Sequence, residues 1–367
     1  MNTSLSPDKD TGNRQQQGCG WLTTAVAPIS TAAREAARER QNRLTKPPGS
    51  LGQLEDLAVT FAGWQHDPLP DIDRCQVRVF AGDHGLVAEG VSAFPQSVTV
   101  EMLRNFARGG AAISVLSQAL DADFRVINLG TAHPLPVEDQ GHPAIQHLQL
   151  APGTANMCTE PAMTGELLAA ALLAGAEAVF GVERGVFIGG EMGIGNTAAT
   201  AALTCALLDL PAQATVGRGT GVDDDGLARK RRAVDRALTL HKPYCISPLE
   251  TLRRLGGLEI AALTGAYTAA AQKGMPSLVD GYICTAAALI ACLINPAVRD
   301  WLLFAHCSAE PGHRFLLKAL AARPLLDLDM RLGEGSGAAI ALPLLQVACR
   351  LHGRMATFEE AEVSGHG

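Results

Sequence analysis

The sequence has few aromatic residues and no excess of positive charge. Aromatic residues make up 4% of the 367 residues, whereas 47% are hydrophobic and 38 are glycine. A core that depends on alanine, valine, leucine and glycine is typical of helices packed closely against a sheet. The net charge of −7 argues against nucleic acid as a partner, because proteins that bind phosphate backbones usually carry a basic face.

Paired cysteines and long apolar runs are also lacking. The nine cysteines are irregularly spaced without a C-x-x-C pair, so we expect neither disulfides nor a metal site, and we expect a reducing cytoplasmic location. The longest apolar stretch, Tyr282 to Ile294, is too short to span a bilayer, so no membrane partner is expected. Residues 1–20 are polar, lack the apolar core of a signal peptide, and are predicted to be a disordered leader.

Strand-like and helical segments alternate over most of the chain. Short β-branched runs ending in polar or glycine-rich turns occur at 75–80, 124–129, 185–188, 277–279 and 302–304. This alternation predicts a large α/β domain over residues 73–339, with a parallel sheet flanked by helices in a Rossmann-like three-layer arrangement. Helical patterns at 21–72 and 340–367 predict a small helical subdomain built from both chain ends. Because parallel sheets bind ligands at the carboxyl ends of their strands, the polar turns should converge on one site.

The segment GGEMGIGNTAATAAL, residues 189–203, runs from a predicted strand through glycines into a helix that begins near Asn196. Unobstructed backbone N–H groups at a helix start bind phosphate or carboxylate, which favours an anion-binding loop over a turn that needs glycine for packing alone. Gly193, Gly195 and Ala198 also match a loose dinucleotide fingerprint. An NAD-dependent oxidoreductase therefore stays open as an alternative.

Two further turns carry charged residues. GRGTG at 217–221 precedes three aspartates, interpreted as a solvated helix N-terminus, and then Lys230, which could neutralise a monophosphate. Asp83 and His84 follow a predicted strand and could form an acid–base or metal pair, although such a pair is more often structural. The loop at 91–97 mixes apolar and hydroxyl groups, a composition that suits a flat aromatic ligand.

RLGEGSGAAIALPLL, residues 331–345, places Glu334 among three glycines directly before an apolar helix. A glutamate on a solvated helix needs no such neighbours, whereas a catalytic carboxylate that a ligand must approach closely would explain them. A tight corner of a helical bundle is the competing interpretation. Pro343 is expected to interrupt or kink the helix early.

These turns together resemble one family. The matching segments, in chain order, are KPPGSLGQLE (46–55), GDHGLVAEGVSAFPQSVT (82–99), GEMGIGNT (190–197), GRGTG (217–221), RRLGGLEIAALTGA (253–266), VDGYI (279–283), HCSAEPGH (306–313) and RLGEGSGAA (331–339). They are similar to segments of nicotinate-nucleotide–dimethylbenzimidazole phosphoribosyltransferases, over residues 40–357. The resemblance implies transfer of the ribose phosphate of nicotinate mononucleotide to 5,6-dimethylbenzimidazole, which yields α-ribazole 5′-phosphate and nicotinate for cobalamin nucleotide-loop assembly.

The resemblance also implies roles for individual residues. Glu334 would be the general base and Glu191 a second catalytic glutamate. The expected substrate-binding residues are Phe94, Ser97, Gly190, Gly193, Gly195, Asn196, Lys230, Asp280, Gly281, Ser308 and Leu332. Lys230 and the Gly193–Asn196 backbone would hold the phosphate, while Ser97, Phe94 and Leu332 would hold the flat base. No cofactor is expected, the partners would be small-molecule substrates, and a homodimer is implied. A non-catalytic protein that binds a nucleotide or benzimidazole is the remaining alternative.

Overall fold

A six-stranded, entirely parallel sheet lies at the centre of the computed structural model, which describes residues 18–219 and 221–364. The strands are β1 (Arg74–Gly82), β2 (Asp123–Gly130), β3 (Ile145–His147), β4 (Gly185–Met192), β5 (Ser277–Val279) and β6 (Leu302–Phe304). Their order across the sheet is β3-β2-β1-β4-β5-β6. The order reverses between β1 and β4, and such a reversal leaves a crevice at the carboxyl ends of the strands. The predicted α/β class is thus confirmed.

Helices surround the sheet. In chain order they are α1 (Thr31–Arg43), α2 (Gln53–Gln65), α3 (Ser97–Ala107), α4 (Ala112–Ala119), α5 (Val137–Gln140), α6 (Gly165–Glu177), α7 (Asn196–Leu208), α8 (Ala212–Thr215), α9 (Asp224–His241), α10 (Pro248–Leu255), α11 (Leu258–Gln272), α12 (Tyr282–Ile294), α13 (His313–Ala319) and α14 (Ser336–Arg354). Short 3-10 helices cover Gly20–Thr23, Gly85–Glu89, Lys242–Tyr244 and Pro296–Trp301. Among the described residues, no helix combines the length and the apolar character needed to cross a membrane.

Two adjacent glycines of β4 show how the layers are arranged. Neighbouring residues of a strand point to opposite faces of the sheet. A Cβ on Gly189 would meet Leu263 of α11, whereas a Cβ on Gly190 would meet the backbone of Glu334, which immediately precedes α14. Helix α11 and the start of α14 therefore lie on opposite faces, and the absence of side chains at these two positions lets both approach closely.

The helical segments from the two chain ends pack together. Arg40 of α1 donates hydrogen bonds to the carbonyls of His352, Gly353 and Met355, and Gln41 bonds the His352 ring at 2.8 Å. A β-bridge between Leu44 and Thr357 extends this contact. Helix α14 crosses residue 340, so the expected boundary of a terminal subdomain falls inside a continuous helix.

Several local predictions differ from the structure. Most of the predicted leader, residues 1–17, lies outside the described residues, but Cys19 is buried in the hydrophobic core. The short strand β3 has no counterpart among the predicted strands, because its sequence, IQH, contains one apolar residue and shows neither an apolar run nor an alternating pattern. Pro343 does not interrupt α14, which continues through it to Arg354. A proline within a helix removes a single N–H donor, and the buried apolar face on both sides compensates for it.

Candidate active site

A pocket of about 330 Å³ opens at the carboxyl ends of β4, β5 and β6. Its lining includes Phe94, Val98, Met102, Glu191, Met192, Gly193, Ile194, Asn196, Thr197, Gly219, Asp280, Gly281, Tyr282, Ile283, Ser308, Glu310, Arg331, Leu332 and Glu334. The size and the mixture of apolar walls with a few polar groups are typical of a small-molecule site. The turns at 190–197, 280–283, 306–310 and 331–334 thus converge, as expected for a parallel sheet.

The glycines around Glu334 are each explained by a close contact. Gly333 has a φ of 88°, and a Cβ there would lie 2.2 Å from Glu191 Oε1. A Cβ on Gly337 would lie 2.1 Å from the His306 ring, and one on Gly190 would lie 2.1 Å from the Glu334 carbonyl oxygen. These separations are shorter than any contact a side chain tolerates, so glycine is needed for the two glutamates to lie side by side.

Glu334 is held in an unusual backbone conformation. Its φ of 66° lies in the left-handed region, which costs a non-glycine residue roughly 1–2 kcal/mol. The side chain is buried, and the backbone N–H of Ile113 donates to its Oε2 over 3.5 Å. Burial raises the pKa of Glu334, and the negative charge of Asp280 adds to this increase. A buried carboxylate of this kind is a stronger base than one in water.

Glu191 lies at the end of β4, next to Glu334. Asn196 Nδ2 and the backbone N–H of Glu334 both donate to its carboxyl group. Burial raises the pKa of Glu191 well above its ordinary value, and the nearby Glu259 and Asp280 carboxylates raise it further. The Glu191 carboxyl group is therefore harder to ionise than one in water, and a cation placed beside it would favour ionisation.

The start of α7 forms a further part of the pocket wall, and its first residue, Asn196, lies against Glu191. Gly195 precedes the helix with a φ of 102°, and a Cβ there would lie 3.1 Å from that of His84. No side chain of residues 193–195 caps α7. The N–H groups of Asn196, Ala198 and Ala199 donate to the Gly193 and Gly195 carbonyls, so the N–H of Thr197, which has no acceptor among the described residues, remains available to an anion. Gly193 and Asn196 line the pocket, whereas Gly195 packs on His84 behind it.

Lys230 of α9 approaches the start of α7 from behind the pocket wall. It is 1% exposed, and its Nζ donates to Thr197 Oγ1 at 2.7 Å and to the Gly217 carbonyl at 3.2 Å. Burial lowers the pKa of Lys230 to about 8, an effect that the negative charge of Glu310 partly offsets. Glu310 also accepts a hydrogen bond from the backbone N–H of Gly219 at 3.0 Å. The ammonium group thus lies just behind Thr197, which lines the pocket.

The mouth of the pocket is apolar. Phe94 is 45% exposed and Leu332 is 56% exposed, and both line the opening together with Val98 and Met102 of α3. Ser97 begins α3 and is half-buried, but it lies behind Phe94 and Val98 rather than among the lining residues. This arrangement forms a slot in which a planar ring could be enclosed between apolar side chains.

Asp83 and His84 do not pair with each other. Asp83 accepts hydrogen bonds from Thr99 Oγ1 at 2.6 Å and from the Ala132 N–H at 2.9 Å. His84 Nε2 lies 2.7 Å from Glu259 Oε1, and both side chains are buried. The structural interpretation therefore applies to this pair. The described residues contain no cluster of three or more His, Cys, Asp or Glu side chains arranged to hold a metal ion.

Sequence reasoning missed several polar residues that line the pocket, and Glu310 and Thr197 illustrate why. Glu310 lies within HCSAEPGH, and Thr197 is the last residue of GEMGIGNT, so both motifs were noticed without these members being singled out. Their spacing carries no periodic signal, because each side chain is defined by a contact with Lys230 or the 217–219 loop from a distant part of the chain.

A parallel α/β sheet whose buried carboxyl groups share a pocket with a glycine-rich helix start is typical of enzymes that act on phosphorylated small molecules. The model of a family described as phosphoribosyltransferase matches residues 26–363. The nicotinate-nucleotide–dimethylbenzimidazole phosphoribosyltransferase of Pseudomonas aeruginosa is 62% identical over 94% of this chain and 98% of its own length. That of Azotobacter vinelandii is 57% identical over 95% and 99%.

A solved structure shows the same similarity. The crystal structure of the corresponding phosphoribosyltransferase from Thermus thermophilus superposes with a TM-score of 0.84 at 46% identity, covering 92% of this chain and all of that one. The chain therefore belongs to the nicotinate-nucleotide–dimethylbenzimidazole phosphoribosyltransferase family, and it is a pentosyltransferase. The oxidoreductase alternative is not favoured, since no relative named here is an oxidoreductase.

Proposed function

We propose that the protein transfers the 5-phosphoribosyl group of nicotinate mononucleotide to 5,6-dimethylbenzimidazole, a step of cobalamin nucleotide-loop assembly. The products are nicotinate and α-ribazole 5′-phosphate. The observation that carries this proposal is the pocket itself, in which the buried carboxyl groups of Glu191 and Glu334 share one cavity with an apolar slot and the start of α7. The names of the relatives supply the substrates.

Glu334 acts as the general base in this proposal. One nitrogen of the benzimidazole attacks C1′ of the ribose, and the bond from C1′ to the pyridinium nitrogen breaks with its electron pair moving to that nitrogen. Nicotinate therefore leaves without needing a proton. The second benzimidazole nitrogen becomes acidic as the new bond forms, and its proton passes to the Glu334 carboxylate. Assistance of this kind contributes about 10²–10⁴-fold to the rate.

Glu191 and the loop at 190–197 hold the sugar and its phosphate. The transition state has positive charge on the ribose, and an ionised Glu191 next to it would stabilise that charge. The backbone N–H groups at the start of α7 and Lys230 behind Thr197 would bind the phosphate. Attack from the face opposite the leaving ring converts a β-nucleotide into an α-product.

The flat base would be enclosed by the apolar side chains of Phe94, Val98, Met102 and Leu332, with Ser97 behind them. The pocket lining also includes Asp280, Gly281 and Ser308, which would lie beside the nucleotide. The reaction assigned to these groups requires only protein side chains and backbone amides, so no cofactor is included in the proposal.

We further propose a cytoplasmic homodimer with a terminal helical subdomain, residues 21–72 and 340–367, beside the catalytic domain 73–339. All nine cysteines are unpaired, which suits a reducing compartment. Helix α14 exposes Ile340 and Val347, two turns apart on one face, and the adjoining α4 exposes Val115. A second copy would cover this apolar face, and light scattering of the purified protein measures whether the mass is that of two chains.

Product analysis tests the proposed reaction. The protein is mixed with nicotinate mononucleotide and 5,6-dimethylbenzimidazole, and the products are separated and identified by mass. Stoichiometric nicotinate and α-ribazole 5′-phosphate are expected. A parallel titration with NAD(H) separates the alternatives, because stable dinucleotide binding without phosphoribosyl transfer would contradict the proposal. Binding of both ligands without turnover would instead favour the non-catalytic alternative.

A further inference from the structure

The carboxyl group of Asp280 caps the helix that carries Glu334. Asp280 follows β5 and is buried, with Oδ2 accepting from the Gly335 N–H at 3.2 Å and Oδ1 accepting from the Ala338 N–H at 2.9 Å. Helix α14 has glycine at its N-cap and receives no cap from its own side chains. A carboxylate at this end is favourable because it satisfies free N–H groups and complements the helix dipole.

These two hydrogen bonds fix the backbone next to Glu334. Glu334 has a left-handed φ, which is maintained only if the surrounding structure holds it. On its amino side, Gly333 packs against Glu191, and on its carboxyl side the amide of Gly335 is held by Asp280. Loss of the second contact would leave the peptide after Glu334 free to relax, and the carboxylate would move with it.

The ring of His306 also lies next to the Asp280 carboxyl group. It follows β6, and its Nε2 lies 3.6 Å from Asp280 Oδ1 while its Nδ1 is buried without a hydrogen-bond partner among the described residues. Gly281 and Gly337 leave room for the ring, since a Cβ on Gly337 would overlap it. Burial opposes a charged imidazole, but contact with the carboxylate of Asp280 leaves the pKa of His306 above its ordinary value.

We propose that Asp280 is a positioning residue for Glu334, acting through the Gly335 and Ala338 amides, and that His306 is its counter-ion. This inference rests on the proposed function, because it assigns Glu334 the role of base. Asp280 touches neither the ring nor the sugar in this role, since both of its oxygens are occupied by the start of α14. It holds the base within the narrow range of positions from which the proton can be accepted.

Removal of the charge from Asp280 tests the proposal. Asp280→Asn keeps the volume but presents an NH₂ group to at least one of the two backbone N–H donors. The expected result is a fall in kcat of about 10- to 100-fold, because small misplacements of a catalytic group have effects of this size. The KM values for both substrates should stay within about threefold, since the two amides belong to the helix rather than to the ligand-binding groups.

A double-mutant cycle separates positioning from general structural support. In a Glu334→Gln background there is no base left to position, so adding Asp280→Asn should change the residual kcat by less than about twofold. The matched control is Asp83→Asn, another buried aspartate that follows a strand and accepts a backbone N–H, from Ala132. Asp83→Asn should change kcat by the same factor in the wild-type and in the Glu334→Gln background.

Independent, multiplicative effects of Asp280→Asn and Glu334→Gln would overturn the inference and leave the proposed function intact. Wild-type turnover in Glu334→Gln would instead overturn the role of the base on which the inference rests. If Asp280→Asn does not fold, His306→Gln provides the same cycle. It should lower kcat about three- to tenfold in the wild-type background and leave the Glu334→Gln variant unchanged, and equal effects in both backgrounds would overturn the inference.

Discussion

Two neighbouring parts of the pocket wall offer different groups to a ligand. The carboxyl end is formed by the buried carboxyl groups of Glu191, Asp280 and Glu334, and the amide end by the start of α7, where the Thr197 N–H has no acceptor among the described residues and the Lys230 ammonium lies behind it. Each end buries groups that water would otherwise stabilise. The carboxyl end suits a developing cation and a departing proton, whereas the amide end suits a phosphate.

The two ends also differ in how directly the sequence predicts them. At the amide end the glycine-rich turn followed by a helix of small residues predicts an anion site directly, and α7 begins at Asn196 as expected. At the carboxyl end the glycines next to Glu334 predict a closely approached carboxylate, but Gly333 and Gly335 are explained by contacts with β4 and Gly337 by a contact with His306, all remote in sequence. The pairing of Asp280 with the start of α14 has no sequence signal at all.

The largest effect on kcat is expected when Glu334 is neutralised. Glu334→Gln should lower kcat by about 10²–10⁴-fold, because the base is removed while the volume of the side chain is kept. The KM values should change little, and steady-state product formation measures both. In the wild-type enzyme, kcat should fall as the pH drops through the raised pKa of Glu334, since the protonated group cannot accept a proton.

The control for this variant is Glu250→Gln, which removes a carboxylate paired with Arg253 and Arg254 outside the pocket lining. It should leave kcat unchanged. Near-wild-type turnover in Glu334→Gln would show that another group accepts the proton. The carboxyl end of the pocket would then not contain the general base.

Neutralising Lys230 should affect binding rather than turnover. Lys230→Met is expected to raise the KM for nicotinate mononucleotide by about 10- to 100-fold, the value of one charged hydrogen bond, without raising that for the base. Because the pKa of Lys230 is about 8, the wild-type KM should also rise as the pH increases above 8 and the ammonium loses its proton. Initial rates at varied nucleotide concentration measure both effects.

Arg232→Met offers a matched control, because Arg232 is exposed on the same helix α9. It should leave the KM unchanged at every pH. An unaltered KM in Lys230→Met would move the phosphate to another part of the pocket.

The smallest effect is expected on the melting temperature of the protein when Glu191 is neutralised. Glu191→Gln reproduces the shape of the protonated side chain, and the pKa of Glu191 is raised in the folded protein. Folded protein therefore holds a proton that the unfolded chain releases, so wild-type stability falls as the pH rises above the ordinary pKa of a glutamate. The variant should have a melting temperature a few degrees higher at neutral pH.

Calorimetry at pH 3 and pH 7 measures this difference, which should disappear at the lower pH, where the glutamate is protonated in both the folded and the unfolded wild-type protein. A melting temperature below that of the wild type at pH 7 would mean that Glu191 is held ionised in the folded protein.

Much of the fold was predictable, and the exceptions have physical reasons. The strands at 277–279 and 302–304 match the predicted bounds, because apolar runs between turns define them sharply. The helical pattern predicted at 21–72 forms an α-helix only from Thr31, where Ser30 provides the cap by accepting from the Ala33 N–H. Lys230 was recognised as a phosphate-binding candidate, but its position behind Thr197 depends on the packing of α9 against α7.

The reciprocal fit between Gly190 and the Glu334 carbonyl, and between Gly333 and Glu191, has a consequence for protein engineering. Neither segment can be grafted onto another scaffold alone, because each supplies the space that the other occupies. A library that varies one of these segments while freezing the other would return mostly misfolded clones. Joint transplantation of both, with their spacing preserved, is the smallest unit that could carry this chemistry elsewhere.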